Sequence, residues 1–397
     1  MLIAPMRSTP EPAPSAPRTR SGPRTHRLRA AVIGTGGIAR GSHLPALREL
    51  AAEGEVEVVA AVDIDEDAVR RFCADGDVPH PYTDLGRMLA EQRPDLVSVC
   101  TPPTLHREQT VAALESGAWV WCEKPPTPSL AEFDAIEAAE GAEGGPYAAI
   151  VFQHRFGSGA RHVRDLLAKG EVGRPLVAHC QTTWYRDTAY YAVPWRGRWA
   201  SEGGGPAMGH GIHQMDLLLD LLGPWSEVRA MTGRLVHDVE TEDVSTALVR
   251  FASGAMATVV NSVLSPDEVS RVRIDCERVT LELTHLYGYG NADWTVTPAR
   301  DVPADLASAW RDFGPDVPSS HLAQLRALVA SIRAGERPRG SGPDGRTSLE
   351  LIAALYKSAF TDATVRAGEI GPGDPYYTAL HGGAPGWAPI QEAAAHE

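Results

Sequence analysis

The sequence predicts an α/β protein in two parts, a doubly wound parallel sheet followed by a region of antiparallel strands. Three observations predict it. Residues 28–50 read as a strand, a glycine-rich turn and a helix. Strand and helix patterns then alternate to about residue 150, and β-α repeats of this kind wind into a parallel sheet. Beyond that, five alternating or apolar runs (228–235, 245–251, 255–263, 269–276 and 279–283) read as half-buried antiparallel strands. The length of 397 residues suits two domains.

Composition excludes several classes of partner. The formal charge of −14 argues against nucleic acid. No apolar run approaches the roughly 18 residues of a membrane helix. The five cysteines are widely spaced and form no C-x-x-C, as expected of reduced core thiols in a cytoplasmic protein. Residues 1–27 are rich in Pro, Ser, Thr and Arg, so they predict a disordered basic extension; they contain no apolar segment of the secretory kind.

The first half carries a dinucleotide signature. The strand at 28–33 runs into Gly34-Thr-Gly-Gly-Ile-Ala39, the G-x-G-x-x-A form. Gly34 permits the tight turn, Gly36 lets backbone approach a pyrophosphate, and Ala39 is small where helix meets strand. Gly34, Gly36, Gly37 and Ile38 are therefore the expected cofactor contacts, with the helix amino terminus facing the phosphates. The next strand, 56–62, ends in Asp63, placed for a ribose 2′-hydroxyl; its charge would repel a 2′-phosphate, so NAD is expected over NADP. Helices follow at 68–73 and 85–91, and a strand at 96–100. Thr101-Pro-Pro103 forms a stiff turn, with His106 ahead of a helix at 109–116. Thr101 and Pro102 end a strand on the ligand edge, beside the expected nicotinamide ribose.

The strand at 120–122 ends in Glu123-Lys124 and then two prolines, which presents a charge at the carboxyl edge where open α/β sheets bind ligands. Of the basic residues, 34 are Arg and only Lys124, Lys169 and Lys357 are Lys. Arginine cannot give up its proton, whereas a desolvated lysine can, so Lys124 is the candidate for proton chemistry, with Glu123 holding it. A lysine merely paired with Glu123 is the alternative. Ser129 caps a helix to about residue 139, and 148–152 is the strand that crosses into the second half.

With these residues placed, the chain resembles the Gfo/Idh/MocA oxidoreductases. The resemblance is carried by residues 31–39, Thr101-Pro-Pro-Thr-Leu-His106, Glu123-Lys-Pro125, Gly203-Gly-Gly205 leading to His213, and Asp344-Gly-Arg-Thr-Ser-Leu-Glu350. It implies a Rossmann domain at 28–150 and a C-terminal α/β domain at 151–371 with a large open, mostly antiparallel sheet, followed by an irregular arm at 372–397. It also implies a nicotinamide cofactor and a sugar or cyclitol substrate. Assembly would run through the sheet, as a homodimer or homotetramer. Lys124 would be catalytic, after a peptide bond that is often cis at Pro125. His106 and Glu123 join the implied cofactor contacts, and so do Trp195 and Arg196, near the nicotinamide. Arg155 would face the substrate. An aspartate is expected four residues before His213, where this chain has Gly209.

The second half continues with a helix at 160–169 and a strand at 176–184. The loop at 185–199 is dense in aromatic rings and guanidinium groups, which suits a carbohydrate pocket as well as a subunit contact, and Tyr185 is its candidate substrate residue. A glycine run then leads to a buried helix carrying His210, His213 and Asp216. His213 and Asp216 share a face. His210 is a further substrate candidate, but no third ligand stands at a recognisable spacing from these histidines, so no metal is assigned. Amphipathic helices are expected at 322–334 and 348–365. The leading reading is a dehydrogenase in which Lys124 takes a hydroxyl proton, aided by His213. Transient oxidation that lets elimination or deglycosylation proceed, with the cofactor restored, is the alternative reaction; a sensor without catalysis is the alternative class.

Overall fold

Strands rich in Val, Ala, Trp and Ile that are buried over most of their length must be covered on both faces, and five of the first six are of this kind, the short edge strand His80–Tyr82 being the exception. The computed structural model describes residues 26–387; most of the expected basic extension and the last residues of the arm lie outside them. Strands β1 (Leu28–Ile33), β2 (Val56–Val62), β3 (His80–Tyr82), β4 (Leu96–Val99), β5 (Trp119–Cys122) and β6 (Ala148–Ile150) pair in the order β3-β2-β1-β4-β5-β6, all parallel. The chain reverses its order between β1 and β4, which opens a crevice at the carboxyl ends of those strands. Five helices connect them: α1 (Leu44–Ala52), α2 (Glu66–Gly76), α3 (Leu85–Gln92), α4 (Pro103–Glu115) and α5 (Leu130–Ala139). α4 starts six residues earlier than expected, because Pro103 sits in its first turn, where the missing N–H costs nothing.

After α6 (Ser158–Ala168) and β7 (Pro175–Tyr185), the aromatic loop carries two short helices, α7 (Thr188–Tyr191) and α8 (Trp199–Glu202). α9 (Ile212–Leu222) follows the glycine run, then β8 (Trp225–Gly233), β9 (Val244–Phe251), β10 (Met256–Ser262), β11 (Leu264–Cys276), β12 (Val279–His285) and β13 (Trp294–Pro298). The second sheet has the order β13-β12-β11-β7-β10-β9-β8-β14, with β14 at Val365–Arg366. Its pairings are antiparallel except β7 with β10. The sheet is thus mostly antiparallel, as expected, with one parallel pair. β10 and β11 are consecutive and opposed in direction, and they flank β7 on either side, so one of them has to run parallel to it.

Of three later helices, two return to the first half. α10 (Ala304–Arg311) packs at β13. α11 (His321–Ala334) lays Leu325, Leu328, Val329 and Ile332 against the core of β1 and α1. Gln324 on α11 accepts from Phe152 N at 2.9 Å and donates to Ile150 O at 2.7 Å, which closes the free edge of β6. α12 spans Gly342–Thr361, six residues ahead of the expected start, again with proline in the first turn. It stops at Asp362 in the left-handed region (φ 51°), so Val365 belongs to β14 and not to the helix. The arm beyond 371 is not irregular as far as it is described. α13 (Pro375–Thr378) docks on α5, Tyr377 donates to Asp134 at 2.8 Å, and the ring of Trp387 stacks on Phe360.

Candidate active site

The glycine loop after β1 fits a dinucleotide. Gly34 has φ +82°, and a Cβ there would stand 2.8 Å from the Thr101 side chain, so only glycine lets the ends of β1 and β4 approach so closely. Gly36 and Gly37 are exposed, and a Cβ on either would meet nothing within 4 Å. They leave an open cradle at the start of a wide helical turn, Ala39–His43, whose backbone N–H groups suit phosphate. At the end of β2, Asp63 accepts from Thr35 N (2.8 Å), Thr35 Oγ1 (2.9 Å) and Asp65 N (3.1 Å). Burial opposes its ionisation, but these bonds outweigh burial and hold the carboxyl below its ordinary range. An anion at this edge suits ribose hydroxyls and disfavours a 2′-phosphate.

Strand β5 is fully buried and delivers Glu123 and Lys124 at its carboxyl end. The Lys124–Pro125 peptide bond is cis, as the resemblance implied. Lys124 Nζ donates to the Gly209 carbonyl at 3.1 Å. Burial pushes its pKa down from 10.5, against the charges of Glu123 and Glu202. Glu123 does not hold the ammonium. Its Oε2 accepts from the Lys124 backbone N at 3.1 Å, and its Oε1 accepts from His43 and His321 at 2.8 and 3.0 Å. Burial opposes the charge, but the two imidazoles hold this carboxyl well below its usual range. The ligand atoms of His43, Glu123 and His321 lie within 4.8 Å of one another, a grouping that sequence spacing did not reveal. Here it anchors the backbone under the lysine, and Glu123 is too buried to serve as the expected cofactor contact.

Lys124 opens into a cavity of about 690 Å³. Pro102, Trp195 and Arg196 line it. So does His210, whose ring lies 5.0 Å from Trp184. The guanidinium of Arg196 sits over the Tyr190 ring at 3.8 Å. Several lining residues were not among the sequence candidates, Glu202 and Tyr287 among them. Glu202 accepts from Gly197 N at 2.5 Å, and burial raises its pKa. Tyr287 follows β12, in what reads in sequence as an ordinary turn. The only signal for Glu202 was a charge directly ahead of the glycine run. Gly209 also lines the cavity, and a Cβ there would meet nothing within 4 Å. The implied aspartate would therefore fit, and in its absence the Gly209 carbonyl takes the ammonium. The glycine run has a packing cause: a Cβ at Gly205 would stand 2.0 Å from the Glu242 carbonyl, and one at Gly204 2.4 Å from the Tyr356 hydroxyl.

Three sequence candidates lie elsewhere. Arg155 does not face substrate: its side chain is 1 % exposed and bonded to Asp216 (2.6 and 2.7 Å) and Asp344 (2.8 Å), which ties the segment after β6 to α9 and α12. A guanidinium flanked by buried carboxylates is satisfied in place. His106 is fully buried, with its ring nitrogens 2.7 Å from the Thr101 carbonyl and 3.0 Å from that of Pro125, so it staples the two ligand-edge turns together. Tyr185 points away from the cavity, because strand residues alternate and its neighbour Trp184 takes the inward side.

The residue beside Arg155 matters more. His154 lies 5.1 Å from both His213 and His285, ring to ring. His213 is 3 % exposed and both its ring nitrogens lack a partner. Burial lowers its pKa well below 6.5, and the Lys124 charge lowers it further. Burial takes His154 and His210 down to about 3. Burial thus disfavours the charged form of all three imidazoles, and Lys124 faces them with its own pKa lowered by burial.

Comparison with known proteins places this arrangement. Residues 28–149 match the oxidoreductase family with an NAD-binding Rossmann fold, and residues 160–282 match the GFO/IDH/MocA C-terminal domain. The chain belongs to the Gfo/Idh/MocA oxidoreductase family. Within it, the chain is 26 % identical to the D-glucoside 3-dehydrogenase of Escherichia coli (strain K12) over 364 residues, 85 % of this chain and 97 % of that protein. It is 27 % identical to the myo-inositol 2-dehydrogenase of Thermotoga maritima, over 86 % of this chain and 99 % of the relative. Among solved structures, the WlbA dehydrogenase from Chromobacterium violaceum in complex with NADH and UDP-GlcNAcA superposes with a TM-score of 0.77 at 25 % identity, over 89 % of this chain and all of that one. In this Gfo/Idh/MocA protein, then, the glycine cradle lies within an NAD-binding Rossmann fold.

Proposed function

We propose that this protein oxidises a ring CH–OH group of a sugar or cyclitol, with NAD as the hydride acceptor and Lys124 as the base. One observation carries the reading: the lysine of β5, its pKa lowered by burial, opens into an aromatic-walled cavity beside the glycine cradle. Aromatic faces suit the C–H patches of a sugar, and the polar groups suit its hydroxyls. Lys124 takes the hydroxyl proton. His213, neutral with both nitrogens free, offers a second hydrogen bond to the reacting oxygen. Gly34, Gly36, Gly37 and Ile38 would hold the cofactor with Asp63 and Thr101, and the nicotinamide when bound there supplies the acceptor for hydride. The relatives named as glucoside and inositol dehydrogenases support the substrate class, and the Asp63 carboxylate supports NAD over NADP. The reduced thiols agree with a cytoplasmic enzyme. Incubation with pooled hexoses, inositols, amino-sugars and glycosides should raise the absorbance of reduced nicotinamide with NAD and much less with NADP. Altered sugars without any rise would replace this reading by transient oxidation, and unaltered sugars would sink both.

We read the second sheet as the assembly surface of a homodimer or homotetramer. Its open face carries Met231, Leu248 and Met256, each more than half exposed, on the residues that alternate with the buried ones. Leu248→Glu puts a charge in the middle of this face, and a smaller mass by light scattering is the expected result. A wild-type monomer, or a variant of unchanged mass, would remove the proposal.

A further inference from the structure

We propose that the site has a second compartment that binds a neutral, hydroxylated substituent, so that the substrate is a glycoside and not a free monosaccharide or a nucleotide sugar. The inference rests on the dehydrogenase reading above and names its substrate class.

A cavity of about 380 Å³ adjoins the lysine cavity, and Tyr287 lines both. Its volume lies within the roughly 300–1,000 Å³ of small-ligand sites. Gln153, His154, Ser42 and Ser320 contribute to its wall. Gln153 and His154 are 2 % and 1 % exposed, yet Gln153 Oε1 and His154 Nε2 have no hydrogen-bond partner. Buried polar atoms are nearly always paired, so two orphans on one wall point to a ligand that pairs them. Their polarity is set by their neighbours. Gln214 Nε2 donates to His154 Nδ1 at 3.3 Å, so His154 carries its proton on Nε2 and offers a donor. Gln153 Oε1 offers an acceptor. One donor and one acceptor match a hydroxyl, which is both at once.

Charge narrows the ligand further. Among the described residues no Lys or Arg lines this cavity; Glu49 does, His154 is held neutral by burial, and His321 on the same wall is already bonded to Glu123 Oε1 at 3.0 Å. A phosphate or carboxylate would enter without a counter-charge. The lysine cavity differs, since Arg196 is on its wall. The reacting ring therefore sits at Lys124, and a neutral sugar attached to it reaches past Tyr287 toward Gln153 and His154.

The test compares kcat/KM with NAD for D-glucose, the set of glucose disaccharides of different linkage, and UDP-glucose. At least one disaccharide should exceed D-glucose on the order of tenfold, the gain of one or two added hydrogen bonds. Gln153→Leu removes the free acceptor and Ser42→Trp fills the compartment; each should bring the disaccharide-to-glucose ratio back toward one. Calorimetric titration of the disaccharide into the protein should show the same weakening, a readout independent of turnover. The proposal is overturned if D-glucose or UDP-glucose is the best substrate, or if neither variant changes the ratio. If no sugar reduces NAD but the disaccharide still binds and Ser42→Trp abolishes that binding, the compartment stands and the dehydrogenase reading falls.

Discussion

Lys124→Met removes turnover while leaving NAD binding intact. Methionine keeps the length and apolar stem of the lysine and loses only the ammonium, so the cavity wall stays filled. The loss in kcat/KM is expected at about 10²–10⁴, the worth of a positioned general base. Cofactor affinity, followed by quenching of protein fluorescence, should change little, because the glycine cradle and Asp63 are untouched. The wild-type pH profile tests the same residue. A base acts in its neutral form, so kcat/KM rises with pH, and burial places the midpoint below the 10.5 of an ordinary lysine. The neighbouring imidazoles cannot produce that limb, since burial takes His154 and His210 to about 3 and His285 to about 4. The Met variant should lack the rising limb. A variant that turns over at the wild-type rate, or keeps the limb, would falsify the assignment.

Arg155→Met destabilises the whole protein and not merely its active site. The guanidinium makes a bidentate bond to Asp216 and bonds both oxygens of Asp344, while Ser348 donates to Asp216 at 2.8 Å. Removing the cation leaves Asp216, fully buried, with an uncompensated charge. Breaking a buried pair in this way costs about 3–5 kcal/mol. Denaturant unfolding should show that loss, and the double variant Arg155→Met with Asp216→Leu should recover much of it, because the stranded charge is gone. A single variant as stable as the wild type, with a KM defect instead, would return Arg155 to the substrate site where the family resemblance had put it.

Arg155 also shows where reading a sequence stops. It stands next to His154, and nothing in the linear order says which of two polar neighbours turns inward to carboxylates and which faces a cavity. That choice depends on Asp216 and Asp344, 61 and 189 residues away. His106 is a similar case, since its carbonyl partners lie on two separate turns. Glu202 and Tyr287 escaped notice because each is unremarked locally and gains meaning only from the elements folded over it. Pro103 in the first turn of α4 likewise belonged to the helix, although it read as a turn.

What the sequence determined by itself is what local rules govern. The glycine spacing, the β-α alternation and the charge that ends β5 each follow from turn geometry, side-chain period or strand direction, and those act over a few residues. They placed the NAD cradle, Asp63 and Lys124. The tertiary structure alone decided who surrounds the lysine. Side chains from β5, the loop after β7, the turn before α9 and the loop after β12 meet there. Their convergence is fixed by α12, which packs on α5 and β6 of the first half and on β8 of the second, with α9 against the second sheet and α11 against α1. Contacts of such long sequence separation leave no periodic mark on the chain, so only the folded molecule shows that a glycine carbonyl, and no aspartate, receives the Lys124 ammonium.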